Sequence, residues 1–165
     1  MKNKLFILAA LVFGLAGCAQ KEKESKSEVV IPPMPVNDLP AMSVTLLEGT
    51  RFNTRDLKGK NILILFQPDC DHCQHEAVQI RENLALFKNY KLYFLSSASP
   101  QEIQKFADDY KLKGNAEVLF GMTSFDDVIN NFGPIQAPSV YIYVDQKRIQ
   151  EFNGQVDVSV IAKYL

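Results

Sequence analysis

The sequence predicts an α/β domain in which a central mixed β-sheet is flanked by helices on both faces. Short continuous apolar runs, typical of buried strands, alternate with segments whose apolar residues follow the helical period. Such alternation favours parallel pairing with helices on both sides of the sheet. Two strand-like runs joined by a tight turn lie near the end of the chain and indicate an antiparallel edge. The composition, 47% hydrophobic and 22% charged, suits one globular domain in 165 residues.

The elements follow from local patterns in chain order. Asn61–Phe66 and Lys91–Ser96 are continuous apolar runs, which indicate strands buried on both faces. The segment from Asp71 to about Asn89 carries apolar residues near the helical period, so we predict one long helix there. Ser99 as N-cap and Pro100 at the first position predict the start of the next helix. Shorter strands are predicted at 43–47, 50–52, 117–120, 139–144 and 148–152, and shorter helices at 123–131 and 157–164.

Residues 1–17 have the pattern of a signal peptide. A basic start precedes an apolar run of about ten residues and a small-residue cleavage region. The sequence Leu-Ala-Gly-Cys that ends at Cys18 resembles the lipobox of bacterial lipoproteins. That resemblance implies cleavage before Cys18 and lipidation of Cys18, which would hold the protein at a membrane of the cell envelope, outside the cytoplasm. The alternative is a plain membrane anchor, although the apolar run is shorter than the ~20 residues a spanning helix needs.

The composition of residues 18–39 predicts a flexible tether. Lysine, glutamate and serine dominate the first part of this segment, and prolines dominate the second part. The domain itself is therefore expected to cover residues 40–165. The formal net charge of the chain is −1, which argues against a nucleic-acid partner found through bulk basicity.

Two cysteines lie where a buried strand passes into the long helix. The spacing of Cys70 and Cys73 places both on one face of the first helical turn. Unpaired backbone N–H groups at a helix start favour an anion, and the thiolate is the nucleophilic form of cysteine. Cys73, one turn further on, is suited to resolve a mixed disulfide. A C-x-x-C motif beside a βαβ pattern is typical of thioredoxin-like redox chemistry.

This segment resembles the thioredoxin-fold family, in particular its exported TlpA/ResA-like branch, over roughly residues 44–165. The resemblance implies a thioredoxin-like fold, with Cys70 attacking and Cys73 resolving. It also implies that Ala137-Pro138 supplies a cis-proline on the substrate-docking edge, and that Glu76 helps to move protons.

The same resemblance implies a thiol–disulfide oxidoreductase that needs no bound cofactor. Its expected partners are disulfide- or thiol-bearing envelope proteins and a membrane electron donor or acceptor. The resemblance favours a reductase. For Glu76, a solvated position on the helix is the alternative.

Two departures from the family pattern concern the direction of electron flow. The family usually has tryptophan before the first cysteine, whereas this chain has none and places Asp69 there. His72, directly before the second cysteine, resembles strongly oxidising members in which histidine stabilises the reduced thiolate. Asp69 and Asp71 should oppose that effect, so the reduction potential stays open.

Four alternatives compete with the oxidoreductase interpretation. The donors Cys70, His72, Cys73 and His75 suggest copper handling, although four donors around one helical turn converge poorly. A thiol peroxidase would need a threonine before the reactive cysteine, which this segment lacks. A structural disulfide would close a four-residue ring of little entropic value. A thioredoxin-like scaffold used only for binding is the non-enzymatic alternative.

Overall fold

The computed structural model describes residues 36–165, which form seven strands and four α-helices. The strands are β1 (Ser43–Leu46), β2 (Arg51–Asn53), β3 (Lys60–Leu65), β4 (Lys91–Ser96), β5 (Val118–Met122), β6 (Ser139–Val144) and β7 (Lys147–Asn153). The helices are α1 (Asp71–Glu82), α2 (Pro100–Asp109), α3 (Phe125–Phe132) and α4 (Val158–Ile161). The signal peptide, Cys18 and most of the predicted tether lie outside the described residues.

The strands form one mixed sheet in the order β2-β1-β5-β4-β3-β6-β7. The three central strands, β3, β4 and β5, are parallel, while β6 and β7 add an antiparallel edge. This confirms the predicted mixed sheet and its closing hairpin. The other edge is antiparallel as well, because β1 runs antiparallel to both β5 and β2.

Alternation along β3 explains why both faces of the sheet are covered. Ile62 and Ile64 point into a core beneath α1, α2 and α4, whereas Leu63 and Leu65 point into a second core that α3 helps to cover. The continuous apolar run of β3 therefore contributes side chains to both cores. None of the helices within residues 36–165 combines the length and the apolar content that crossing a bilayer requires.

The predicted long helix after the cysteines is shorter than expected. We predicted a helix to about Asn89, but α1 ends at Glu82 and a 3₁₀ turn, Leu84–Phe87, follows. Asn83 ends the helix because its side-chain amide donates to the Gln79 carbonyl, 2.9 Å away, in competition with continued helix. The change of geometry buries Phe87 in the core beneath the sheet.

Candidate active site

Cys70 is the N-cap residue of α1 and follows β3, which ends at Leu65. Its sulfur accepts a hydrogen bond from the Cys73 backbone N–H at 3.3 Å, so it takes the place of a capping oxygen. Cys70 is partly exposed and Cys73 is buried, and both carry free thiols. The arrangement presents one sulfur to a substrate and holds the second behind it.

Burial affects the protonation of the second cysteine, Cys73. Burial raises the pKa of the Cys73 thiol well above its usual range, and its contacts with Cys70 and Glu76 act in the same direction. Cys73 therefore stays protonated unless a neighbouring group takes its proton during reaction.

Glu76 lies one turn after Cys73 and is only 1% exposed, so the solvated position considered from the sequence is wrong. Neither carboxyl oxygen makes a hydrogen bond of good geometry within residues 36–165. Burial raises the pKa of Glu76 to about 8, and the nearby Val156 backbone N–H offsets only part of this. A carboxyl group with that pKa can both take up and release a proton near neutral pH.

The Ala137–Pro138 peptide bond is cis, as the sequence predicts, and it lies directly before β6. The Ala137 carbonyl oxygen lies 3.5 Å from the Cys70 sulfur and accepts its hydrogen bond. Pro138 is buried and Ala137 is partly exposed. The antiparallel pairing of β6 with β3 is what brings this segment to the end of β3, where the cysteine loop begins.

The loop between β7 and α4, residues 154–157, packs against α1 next to the site. Gln155 contacts two histidines of α1: its Oε1 lies 2.6 Å from Nδ1 of His72, and its Nε2 lies 2.5 Å from Nδ1 of His75. The next residue, Val156, faces the Glu76 carboxyl. His72 is exposed, so it lies at the surface rather than in the core.

A groove of about 330 Å³ is lined in part by Ala137. Its walls are apolar or neutral, and Phe125, on its rim, is 63% exposed. The lining residues are Leu65, Phe66, Gln67, Leu95, Ser96, Ser97, Phe125, Val128, Ile129, Pro134, Ile135 and Ala137. The groove can receive an apolar side chain, and Ala137 connects it to the partly exposed Cys70, whose sulfur lies 3.5 Å from the Ala137 carbonyl oxygen.

Sequence reasoning located the cysteines, Glu76 and the Ala137–Pro138 pair, which the structure brings together. It missed Gln155 and Phe125, because a lone glutamine or phenylalanine carries no local motif. Among residues 36–165 there is no group of three or more His, Cys, Asp or Glu side chains arranged to hold a metal ion.

Comparison with known proteins agrees with this geometry. The chain is 24% identical over 176 residues to the thiol-disulfide oxidoreductase ResA of Bacillus cereus, covering 99% of this chain and 96% of that protein. StoA from Bacillus subtilis superposes with a TM-score of 0.59 at 17% identity, over 77% of this chain and 98% of StoA.

A secreted Mycobacterium tuberculosis disulfide oxidoreductase superposes with a TM-score of 0.63 at 15% identity, over 75% of this chain and 93% of that one. Both structural matches show the thioredoxin-like fold. The sequence profile of the AhpC/TSA family matches residues 35–152, which include both cysteines and the cis-proline. The protein is therefore a member of the AhpC/TSA family, a thiol–disulfide oxidoreductase with a thioredoxin-like fold.

Proposed function

We propose that the protein is a membrane-tethered reductase of disulfides in envelope proteins. The observation that carries the proposal is the difference in exposure between the two cysteines at the start of α1. Cys70 is partly exposed and can meet a substrate, whereas Cys73 is buried. The predicted lipobox at Cys18 supports attachment to a membrane, and the 24% identity to ResA supports the reaction class.

The reaction begins when the Cys70 thiolate attacks one sulfur of a substrate disulfide. The substrate S–S bond breaks, a mixed disulfide forms, and the released substrate thiolate takes up a proton. Capping by the Cys73 backbone N–H stabilises negative charge on the attacking sulfur before this step.

Resolution needs the buried thiol to lose its proton. Glu76, ionised and close to Cys73, accepts that proton, and the Cys73 thiolate attacks Cys70 in the mixed disulfide. The bond to the substrate breaks and the Cys70–Cys73 disulfide forms. Two electrons have then passed to the substrate, and a membrane donor must return them.

Substrate docking is assigned to the edge formed by Ala137 and Pro138. A peptide on this edge lies beside the Cys70 sulfur, because that sulfur is 3.5 Å from the Ala137 carbonyl. The apolar groove next to Ala137 then receives an apolar side chain near the substrate cysteine. His72 is assigned to tuning the stability of the Cys70 thiolate.

Trapping of the mixed disulfide tests the reaction. Cys73→Ser is expected to accumulate a covalent adduct with envelope proteins that a thiol reductant releases, whereas Cys70→Ser forms none. Absence of an adduct with Cys73→Ser, or of a reversible Cys70–Cys73 disulfide in the wild type, contradicts the proposal. Equilibration with glutathione gives the direction: a potential near about −270 mV supports a reductase, and one near about −120 mV an oxidant.

Attachment is tested separately. Cys18→Ala is expected to move the protein from the membrane fraction to the soluble fraction of the envelope, with unchanged thiol chemistry. Retention of the Cys18→Ala variant in the membrane would contradict lipid tethering at this residue.

A further inference from the structure

The Ala137–Pro138 edge lies where the pairing of β6 with β7 comes to an end. Ser139 and Asn153 are the last opposed pair of the ladder, and next to them the Gly154 backbone N–H donates to the Pro138 carbonyl oxygen at 2.9 Å. Proline has no backbone N–H, so Pro138 cannot return a bond to Gly154 and regular pairing stops there. The docking segment before Pro138 must therefore be held by other bonds.

The side chain of Asn153 supplies one of these bonds. Its Oδ1 accepts from the Gln136 backbone N–H at 2.6 Å. A backbone N–H can only donate, so the amide of Asn153 must present its carbonyl oxygen to Gln136. A side chain at the end of β7 thus reaches across to the residue that precedes Ala137.

The hydroxyl of Ser139 closes the other side of the same segment. Ser139 is 0% exposed, and its hydroxyl donates to the Gln136 carbonyl oxygen at 2.6 Å. Asn153 Oδ1 lies 3.1 Å from that hydroxyl, a longer contact for its one proton. Both backbone polar groups of Gln136 are therefore tied to the ends of β6 and β7.

These bonds leave one carbonyl group of the docking segment facing the cysteines. The carbonyl of Gln136 is taken by Ser139, and that of Pro138 by Gly154. The Ala137 carbonyl lies between them and accepts from the Cys70 thiol at 3.5 Å. The orientation of the docking edge relative to the reactive sulfur thus depends on bonds made on both sides of Ala137.

We propose that Asn153 is a positioning residue that clamps Gln136 and so holds the substrate-docking edge against Cys70. Asn153 acts through the segment that ends at Pro138 and touches no reacting atom. A clamped edge is already ordered when a substrate peptide arrives, so binding loses less conformational entropy. The effect on substrates rests on the proposed function, whereas the clamp itself does not.

Hydrogen exchange tests the clamp directly, whatever the protein's activity. Gln136 is exposed, so its amide is protected mainly by its hydrogen bond. In ¹⁵N-labelled full-length protein, this amide is expected to exchange about fivefold faster in Asn153→Ala than in wild type. Asn153→Asp keeps an acceptor oxygen and should keep the slow exchange. An unchanged Gln136 rate in Asn153→Ala would overturn the proposal.

Two controls accompany this measurement. The amide of Ile62, a fully buried residue of β3, should exchange at the wild-type rate in every variant, which shows that the core is intact. Lys147→Ala, at an exposed position at the other end of β7, should leave the Gln136 rate unchanged. Equal acceleration at Gln136 by Lys147→Ala would mean that β7 as a whole sets the protection, and would contradict a clamp by Asn153.

Kinetics with two substrates test the docking role. Asn153→Ala is expected to lower kcat/KM for a protein disulfide about fivefold relative to kcat/KM for a small disulfide, chiefly through KM, because only the protein substrate needs the edge. Asn153→Asp and Lys147→Ala should keep the wild-type ratio. Equal losses with both substrates would overturn a role in docking. A wild type that reduces no protein disulfide would instead contradict the proposed function, while the exchange rate of Gln136 still decides the clamp.

Discussion

At the scale of single residues, Glu76 is the most unusual group in the described chain. Burial of a carboxyl group that is 1% exposed and lacks a well-formed hydrogen bond favours its neutral form. Burial raises its pKa from 4.5 to about 8. The native state therefore holds a proton between those values that the unfolded state has released, so stability falls as pH rises from about 4.5 to about 8.

Replacing this carboxyl group should remove that pH dependence. Wild-type stability should fall by roughly 3–4 kcal/mol between pH 5 and pH 8, whereas the stability of Glu76→Gln should not show this loss, because the amide does not ionise. Urea unfolding of both proteins at pH 5 and pH 8 measures this difference. The cost of burying the amide is the same at both pH values, so it cancels.

The exposed Glu82, at the end of the same helix, supplies the control. Glu82→Gln should leave the difference between the two pH values unchanged. If Glu76→Gln behaves like Glu82→Gln, Glu76 ionises normally in the folded protein and is not the buried proton acceptor of the mechanism.

At the scale of elements, the helix starts are specified by short local motifs. The α2 helix begins with a capping box in which the Ser99 hydroxyl accepts from the Glu102 backbone N–H at 3.3 Å. The Glu102 carboxylate accepts from the Ser99 hydroxyl at 2.6 Å and from the Ser99 backbone N–H at 2.9 Å, and these two bonds lower the pKa of Glu102. Pro100 follows the cap at a position that needs no N–H donor.

Loss of this cap should destabilise the fold measurably. Ser99→Ala is expected to lower the free energy of unfolding by about 1 kcal/mol, because one helix-start donor loses its partner. Ser99→Thr keeps a hydroxyl and should cost much less. Chemical denaturation of the three proteins provides the measurement, and equal stability of Ser99→Ala and wild type would contradict a stabilising cap.

At the scale of the whole molecule, the site is assembled by strand order. The sheet places β6 beside β3, which sets the Ala137 carbonyl against the Cys70 sulfur. The apolar groove draws on the ends of β3 and β4, on α3 and on the segment before β6. Its rim residue Phe125 is the most exposed aromatic side chain among residues 36–165, as a docking role requires.

Truncation of this rim should weaken substrate binding without altering the thiol chemistry. Phe125→Ala is expected to raise KM for a protein disulfide about fivefold, a loss of ~1 kcal/mol of apolar contact, with kcat unchanged. Turnover of a small disulfide should not change, because it does not reach the groove.

Leu86→Ala is the matched control, since Leu86 is also exposed, at 49%, but lies in the turn after α1. It should leave both substrates unaffected. Equal KM values for Phe125→Ala and wild type with protein substrates would exclude the groove from docking.

The element order and the reactive pair could be predicted because their signals are local. Continuous apolar runs marked β3 and β4, and the C-x-x-C spacing marked the start of α1. The end of that helix could not be predicted, because the apolar period continues past Asn83. The hydrogen bond from the Asn83 side chain to the Gln79 carbonyl and the packing of Phe87 show where the geometry changes.

Local patterns in the sequence are enough to place two cysteines on the first turn of a helix after a buried strand, and to place Ala137-Pro138 before a later strand. The surroundings of these groups depend on contacts between segments that are distant in the sequence. Whether Glu76 is solvated or buried depends on the loop before α4, and the partner of His72 is 83 residues away, at Gln155. Local spacing specifies which side chains share one helical turn, whereas burial and long-range hydrogen bonds depend on how strand order brings distant segments together.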